Sequence, residues 1–156
     1  MSARRRITAG HGRGRRARPG VCRVQFRLMA KVLLVADAEW VINDVRAALS
    51  DPDHELVEIT DPREAEDAWY DEEPDVVVID LQVGSMGGFA VTRALRSAAH
   101  ALEEPAPPTL ILLDRSADSF LAGRSGADAW LLKPVPAFDL RRTIAELTAA
   151  TAETSS

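Results

Sequence analysis

Four polar residues each stand at the end of a short apolar run, and their types suit phosphoryl chemistry. Asp37 comes soon after KVLLV, Asp80 ends DVVVID, Asp114 follows TLILL and Lys133 follows DAWLL. Two carboxylates held close together repel each other unless a cation lies between them. Mg²⁺ fits this need, because it takes oxygen ligands and binds through only one or two carboxylates. With a lysine to contact a phosphoryl oxygen, the set is suited to forming a phosphoryl-carboxylate.

The elements that must position these residues follow from the hydrophobic pattern. Strands are predicted at residues 31–35, 54–60, 75–80, 109–113 and 128–132. Helices are predicted at about residues 40–50, 62–70, 89–100, 117–124 and 137–149. Five strands that alternate with five helices predict an α/β fold, an open doubly wound parallel sheet with helices on both faces. Functional groups in such sheets gather at the carboxyl ends of the strands, so we expect the four polar residues to converge on one rim.

The charge of the chain is distributed unevenly. Residues 1–28 contain nine arginines and no acid, whereas residues 29–156 carry a net charge of −14. An arginine-rich arm can bind nucleic acid through its phosphates, and this composition also fits an organellar transit peptide. We interpret residues 1–28 as a disordered leader, with Met29 as a natural beginning, and residues 150–156 as a disordered tail.

Several classes of protein are disfavoured by composition. The apolar runs are too short to cross a membrane, and the leader has no apolar run long enough for a secretory signal peptide. The single Cys22 excludes an internal disulfide and a cysteine-based zinc site. We therefore expect a cytoplasmic protein without membrane contact.

Four segments of the chain, in this order, resemble the receiver domain of bacterial response regulators. They are VADAEW (residues 35–40), PDVVVIDLQVGSMGG (74–88), TLILLDR (109–115) and GADAWLLKP (126–134). The resemblance covers residues 29–149. It implies a flavodoxin-like five-stranded sheet with the strand order 2-1-3-4-5.

The resemblance also implies roles for individual residues. Asp80 falls on the phosphoacceptor and Lys133 on the lysine that contacts the phosphoryl group. Asp37, Asp80 and the backbone carbonyl of Gln82 match the ligands of Mg²⁺. Asp37 can also cap the first helix, and the two roles are compatible.

The resemblance bears on two further positions, one of them in the conformational switch of the family. Trp130 occupies the position of the switch aromatic residue, although core packing or partner contact would equally explain a tryptophan there. A cis peptide bond is common in the family before the proline that matches Pro134. The implied partners are a sensor histidine kinase or phosphotransfer protein and a downstream protein that the sequence does not identify.

The chain departs from the family pattern at three positions. Ala36 replaces the first of two adjacent acids, so we expect Mg²⁺ to bind weakly. Leu113 replaces the hydroxyl residue that contacts the phosphoryl group in the switch. Asp114 replaces a small residue, and an acid there would oppose a dianionic phosphoryl group.

These observations favour a stand-alone response regulator without enzymatic activity beyond its own phosphorylation and dephosphorylation. The first alternative is a degenerate receiver that binds a partner without phosphorylation. An alternative from another class is a flavodoxin-like enzyme or small-molecule binder, although the turn after the first strand lacks the glycines of a dinucleotide site. DNA binding has support only from the arginine-rich leader.

Overall fold

The computed structural model of the chain describes residues 29–154; the predicted leader at residues 1–28 and the last two residues of the predicted tail lie outside this part. The strands are β1 (Ala30–Val35), β2 (His54–Ile59), β3 (Val76–Asp80), β4 (Thr109–Leu113) and β5 (Ala129–Leu132). The helices are α1 (Glu39–Ala48), α2 (Ala65–Glu72), α3 (Gly88–Ala101), α4 (Ser119–Ser125) and α5 (Ala137–Thr154). Single turns of 3-10 helix, Pro62–Glu64 and Ser116–Asp118, lead into α2 and α4.

The five strands form one parallel sheet in the order β2-β1-β3-β4-β5, which confirms the predicted fold class and strand order. Val35 near the end of β1 pairs with Ile79 of β3, and Asp80 pairs with Leu112 of β4. Because all strands run in the same direction, the segments that follow them emerge at one rim of the sheet.

The apolar runs pack against helices on both faces of the sheet. In β1, Val32 and Leu34 belong to the core formed with α1 and α5. Leu33 and Val35 belong to the core formed with α2 and α3. A strand buried on both faces needs apolar side chains at every position, which explains why β3 and β4 are continuous apolar runs.

The last helix is longer than the sequence predicted. α5 continues to Thr154, so residues 150–154 are helical and the predicted tail is corrected for these five residues. Alanine favours helix, and the Thr148, Thr151 and Thr154 hydroxyls donate to backbone carbonyls four residues earlier. No helix in residues 29–154 is both long and apolar enough to cross a membrane.

Candidate functional site

Asp80 and Lys133 form the centre of the site. Asp80 is the last residue of β3, and its side chain is fully buried. The Lys133 ammonium lies 2.5 Å from Asp80 Oδ1, and the Gln82 backbone nitrogen donates to the same oxygen over 3.3 Å. Lys133 follows β5, where its backbone nitrogen donates to the Leu113 carbonyl oxygen over 2.8 Å. The hydrogen bonds of the sheet thus bring the lysine to the acid.

Asp114 contacts the same lysine. Its Oδ1 lies 3.0 Å from the Lys133 ammonium, and the lysine side chain is only 5% exposed. One buried cation therefore stands between two carboxylates, and its charge offsets their mutual repulsion. The sequence indicated that Asp114 would oppose a phosphoryl group, but it did not indicate this ion pair.

Asp37 lies at the same rim but makes a different contact. The Gly84 backbone nitrogen donates to Asp37 Oδ2 over 2.9 Å. Asp37 does not cap α1, because the N-cap residue is Ala38 and the helix has no side-chain cap hydrogen bond. Ala36, which stands where the family has an additional acid, is fully buried.

The loop between β3 and α3 closes tightly under the site because of its glycines. Gly84 has a left-handed backbone with a φ of 51°, which other residues adopt only with strain. A Cβ atom on Gly88 would lie 2.9 Å from the Asp80 carbonyl oxygen and 3.0 Å from Leu81 Cα. Any larger residue at position 88 would therefore push against the backbone that holds the acceptor.

The Trp40 ring also contacts Lys133, and sequence reasoning missed this contact. The ammonium lies 5.3 Å from the ring centroid, within the range of cation–π attraction. Trp40 is in the first turn of α1 and is 51% exposed. No sequence pattern indicates the contact, because Trp40 is on α1 and Lys133 follows β5, far apart in the chain.

The two switch positions, Leu113 and Trp130, differ in burial. Leu113 is fully buried at the end of β4, where it pairs with Leu132. Trp130 is 40% exposed, and its ring would lie 3.7 Å from a Cβ atom placed on Gly123 of α4. The Lys133–Pro134 peptide bond is cis.

The residues at the rim fit a magnesium ion, although they are few. Asp80 Oδ2 is buried and has no hydrogen-bond partner in the described part of the chain. Leaving such an oxygen unpaired is costly, so the atom marks a place for a cation. Residues 29–154 contain no cluster of three acids, histidines or cysteines that could hold a metal. Any magnesium ion must therefore take most of its ligands from backbone, water or phosphate.

The chain matches known proteins over most of its length. A family model described as the response regulator receiver domain matches residues 32–145. Protein PilH of Pseudomonas aeruginosa is 30% identical over 118 residues, which are 74% of this chain and 95% of PilH. The chain spans about half the length of other curated relatives, 49% of one and 46% of another.

Solved structures show the same fold. Chemotaxis response regulator CheY4 of Vibrio cholerae has a TM-score of 0.64 and is 28% identical, over 76% of this chain and 98% of CheY4. The receiver domain of the sensor histidine kinase PA1611 of Pseudomonas aeruginosa has a TM-score of 0.67 at 18% identity, over 78% of this chain and 98% of that domain. That structure is described with a magnesium ion coordinated in its active site cleft.

Proposed function

The chain belongs to the response regulator receiver family, and on this premise we propose that it accepts a phosphoryl group on Asp80 in a two-component phosphorelay. The donor is a sensor histidine kinase or a phosphotransfer protein, and the signal is passed on by contact with another protein. One observation carries the proposal: the ammonium of Lys133 lies 2.5 Å from Oδ1 of a buried aspartate at the carboxyl end of the sheet.

The reaction needs a carboxylate nucleophile and stabilisation of the phosphoryl charge. An Asp80 carboxylate oxygen attacks phosphorus, the P–N bond of the donor phosphohistidine breaks, and the leaving imidazole takes up a proton. Lys133 can also contact the transferred phosphoryl group, because a side-chain rotation takes its ammonium from Asp80 Oδ1 to a phosphoryl oxygen while the backbone stays in place. Its burial strengthens this interaction, since charges attract more strongly away from water.

Asp37, Asp80 and the Gln82 backbone carbonyl would hold a magnesium ion, which neutralises phosphoryl oxygens when bound. The magnesium ion in the PA1611 receiver domain supports this assignment, as does the unpaired Oδ2 of Asp80. The contact from Gln82 to Asp80 comes from its backbone nitrogen, so the role of its carbonyl is a proposal from the family resemblance.

Output through a protein surface is supported by exposed apolar side chains around β5. Trp130 and Leu132 of β5 are 40% and 46% exposed. Phe120 and Leu121 of α4, the helix whose Gly123 lies beside the Trp130 ring, and Phe138 of α5 are also exposed. Exposed apolar side chains on adjacent elements are typical of a protein contact.

The test is acyl-phosphate formation on the full chain. The protein is incubated with acetyl phosphate and Mg²⁺, and phosphorylation is measured by intact mass. We expect Asp80→Asn to abolish the added phosphoryl group. Asp71→Asn is the matched control, because Asp71 is an exposed acid near the end of α2, away from the rim. Equal phosphorylation of wild type and Asp80→Asn would contradict the proposal.

The three departures favour a second candidate, a receiver that binds its partner without phosphorylation. Ala36 and Leu113 lack the oxygen atoms of the family residues they replace, and Asp114 already pairs with Lys133. In this case acetyl phosphate adds no phosphoryl group to Asp80. Wild type and Asp80→Asn should then bind the partner with equal affinity, and the comparison uses the two proteins already prepared for the phosphorylation test.

A further inference from the structure

The Asp80 carboxylate is inaccessible to a phosphodonor in the structure. The Asp80 side chain has no exposed surface, its Oδ1 is in contact with the Lys133 ammonium, and its Oδ2 is buried. A phosphoryl donor must bring its phosphorus to about 3–3.5 Å from the attacking oxygen. The observed arrangement therefore cannot react until something moves away from the carboxylate.

Two residues besides Asp80 contact the Lys133 ammonium. The Asp114 carboxylate lies 3.0 Å from its ammonium, and the Trp40 ring centroid lies 5.3 Å from it. The hydrogen bonds that Asp80 receives come from Lys133 and Gln82, so Asp114 and Trp40 act on Asp80 through the lysine. We call Trp40, Asp114 and Lys133 the cover.

We propose that Trp40 and Asp114 are positioning residues that hold Lys133 closed over Asp80, and that this cover must open before a phosphodonor reaches the acceptor. The inference rests on the proposed function, because it concerns how Asp80 is reached. It gives the acid at position 114 and the ring at position 40 a shared effect, which is to restrict phosphorylation of the resting protein.

The cover can open through side-chain rotation alone. Trp40 is 51% exposed, and the Asp114 side chain is 32% exposed, so both can move into solvent. Cation–π contacts and ion pairs that are partly exposed contribute little individually. Trp40 and Asp114 therefore each add a small increment to the closed state, and weakening either contact should raise the open fraction by a small but measurable factor.

The experiment measures access to Asp80 directly. The full chain is treated with a water-soluble carbodiimide and an amine, and the label on Asp80 is distinguished from labels on other acids by fragment-ion mass spectrometry. We expect Trp40→Leu and Asp114→Asn each to raise the rate of Asp80 labelling about two- to fivefold. Trp40→Phe keeps an aromatic face and should stay near the wild-type rate. Asp118→Asn, which removes an acid that pairs with Arg115 at 3.6 Å, should leave labelling unchanged.

The same substitutions in a Lys133→Met background test whether the lysine transmits the effect. Removing Lys133 opens the cover, so Trp40→Leu and Asp114→Asn should then cause no further increase. Circular dichroism checks that each variant is folded, and Asp114→Ser replaces Asp114→Asn if that variant is not. Unchanged labelling in both single variants overturns the proposal, as does an increase that persists without Lys133.

Acyl-phosphate formation from acetyl phosphate is measured in parallel, which separates this inference from the proposed function. Labelling that rises in the variants while no protein is phosphorylated on Asp80 refutes the phosphoacceptor role but leaves the cover intact. Phosphorylation of Asp80 together with unchanged labelling refutes the cover alone.

Discussion

The Gly84 backbone nitrogen donates a hydrogen bond to the Asp37 carboxylate over 2.9 Å, which joins the loop after β3 to the segment after β1. The two residues are 47 positions apart in the chain. Gly84 makes this bond from a left-handed backbone conformation (φ of 51°). Asp37 thus has a structural contact in addition to its proposed role as a metal ligand, and its substitution should affect both the loop and the metal.

We predict weak magnesium binding that an added acid at position 36 makes tighter. Ala36→Asp restores a second carboxylate, so it should tighten Mg²⁺ binding on the order of tenfold. Asp37→Asn should weaken binding. The measurement is a titration of Mg²⁺ followed by tryptophan fluorescence, in which Trp40 reports from the rim. Tight binding that Asp37→Asn does not change would contradict the assignment of the site.

We predict that Gly88→Ala destabilises the fold. The added Cβ would lie 2.9 Å from the Asp80 carbonyl oxygen, and overpacking of this kind costs about 1–3 kcal/mol in the free energy of unfolding. Gly123→Ala is the matched comparison, since its Cβ would meet the Trp130 ring at an ordinary 3.7 Å within α4. That substitution should be neutral or stabilising by up to about 1 kcal/mol. Urea denaturation measures both, and equal effects would contradict the prediction.

The sequence predicts the fold and the two central residues of the site for a physical reason. A strand buried on both faces is a continuous apolar run, so a charged residue at its end, such as Asp80, is conspicuous in the sequence. Lys133 follows β5, an apolar strand that is half-exposed at the edge of the sheet. Parallel pairing places both at one rim, and their contact follows from topology.

The contacts of Trp40 and Asp114 could not be predicted in the same way. Trp40 is on α1, Asp114 follows β4 and Lys133 follows β5, so their meeting depends on how three segments pack. Residue type was also misleading at Asp37. Aspartate is favoured at helix N-caps, but Asp37 accepts a hydrogen bond from a distant loop instead.

We predict a small, pH-dependent stabilisation from Asp51. Burial acts to raise its pKa, but hydrogen bonds from the His54 ring and the Asp53 backbone, with the charge of Arg141, lower the pKa below 3.8. A lowered pKa in the folded state stabilises the protein above the unfolded value, and the effect is lost as the pH falls through the folded value.

Asp51→Asn should therefore reduce the free energy of unfolding by less than about 1 kcal/mol at neutral pH. The difference from wild type should shrink when the pH falls below 3.8. Urea denaturation of both proteins across this range makes the comparison. A difference that grows toward acid pH would contradict the sign.

The last prediction is that occupying Asp80 moves Trp130 little. In the family, the hydroxyl at the end of β4 is drawn toward the phosphoryl group, and the aromatic residue of β5 turns into the space it leaves. Leu113 has no hydroxyl and is fully buried, so it forms no such bond and leaves no space. A conformational change needs an interaction that differs between the two states, and the usual one is absent. We therefore expect a largely preformed partner surface around Trp130.

The measurement is Trp130 fluorescence in a Trp40→Phe background, with and without beryllium fluoride as a phosphoryl mimic. The third tryptophan, Trp69, is buried in the core formed with α2 and α3, so it should give a constant background. Leu113→Thr restores the hydroxyl and should increase the response to the mimic. A large response that Asp80→Asn abolishes and Leu113→Thr leaves unchanged would mean that another route couples the acceptor to β5. The most direct such route on the rim is Lys133 itself, whose backbone is continuous with β5 and whose ammonium contacts Asp80.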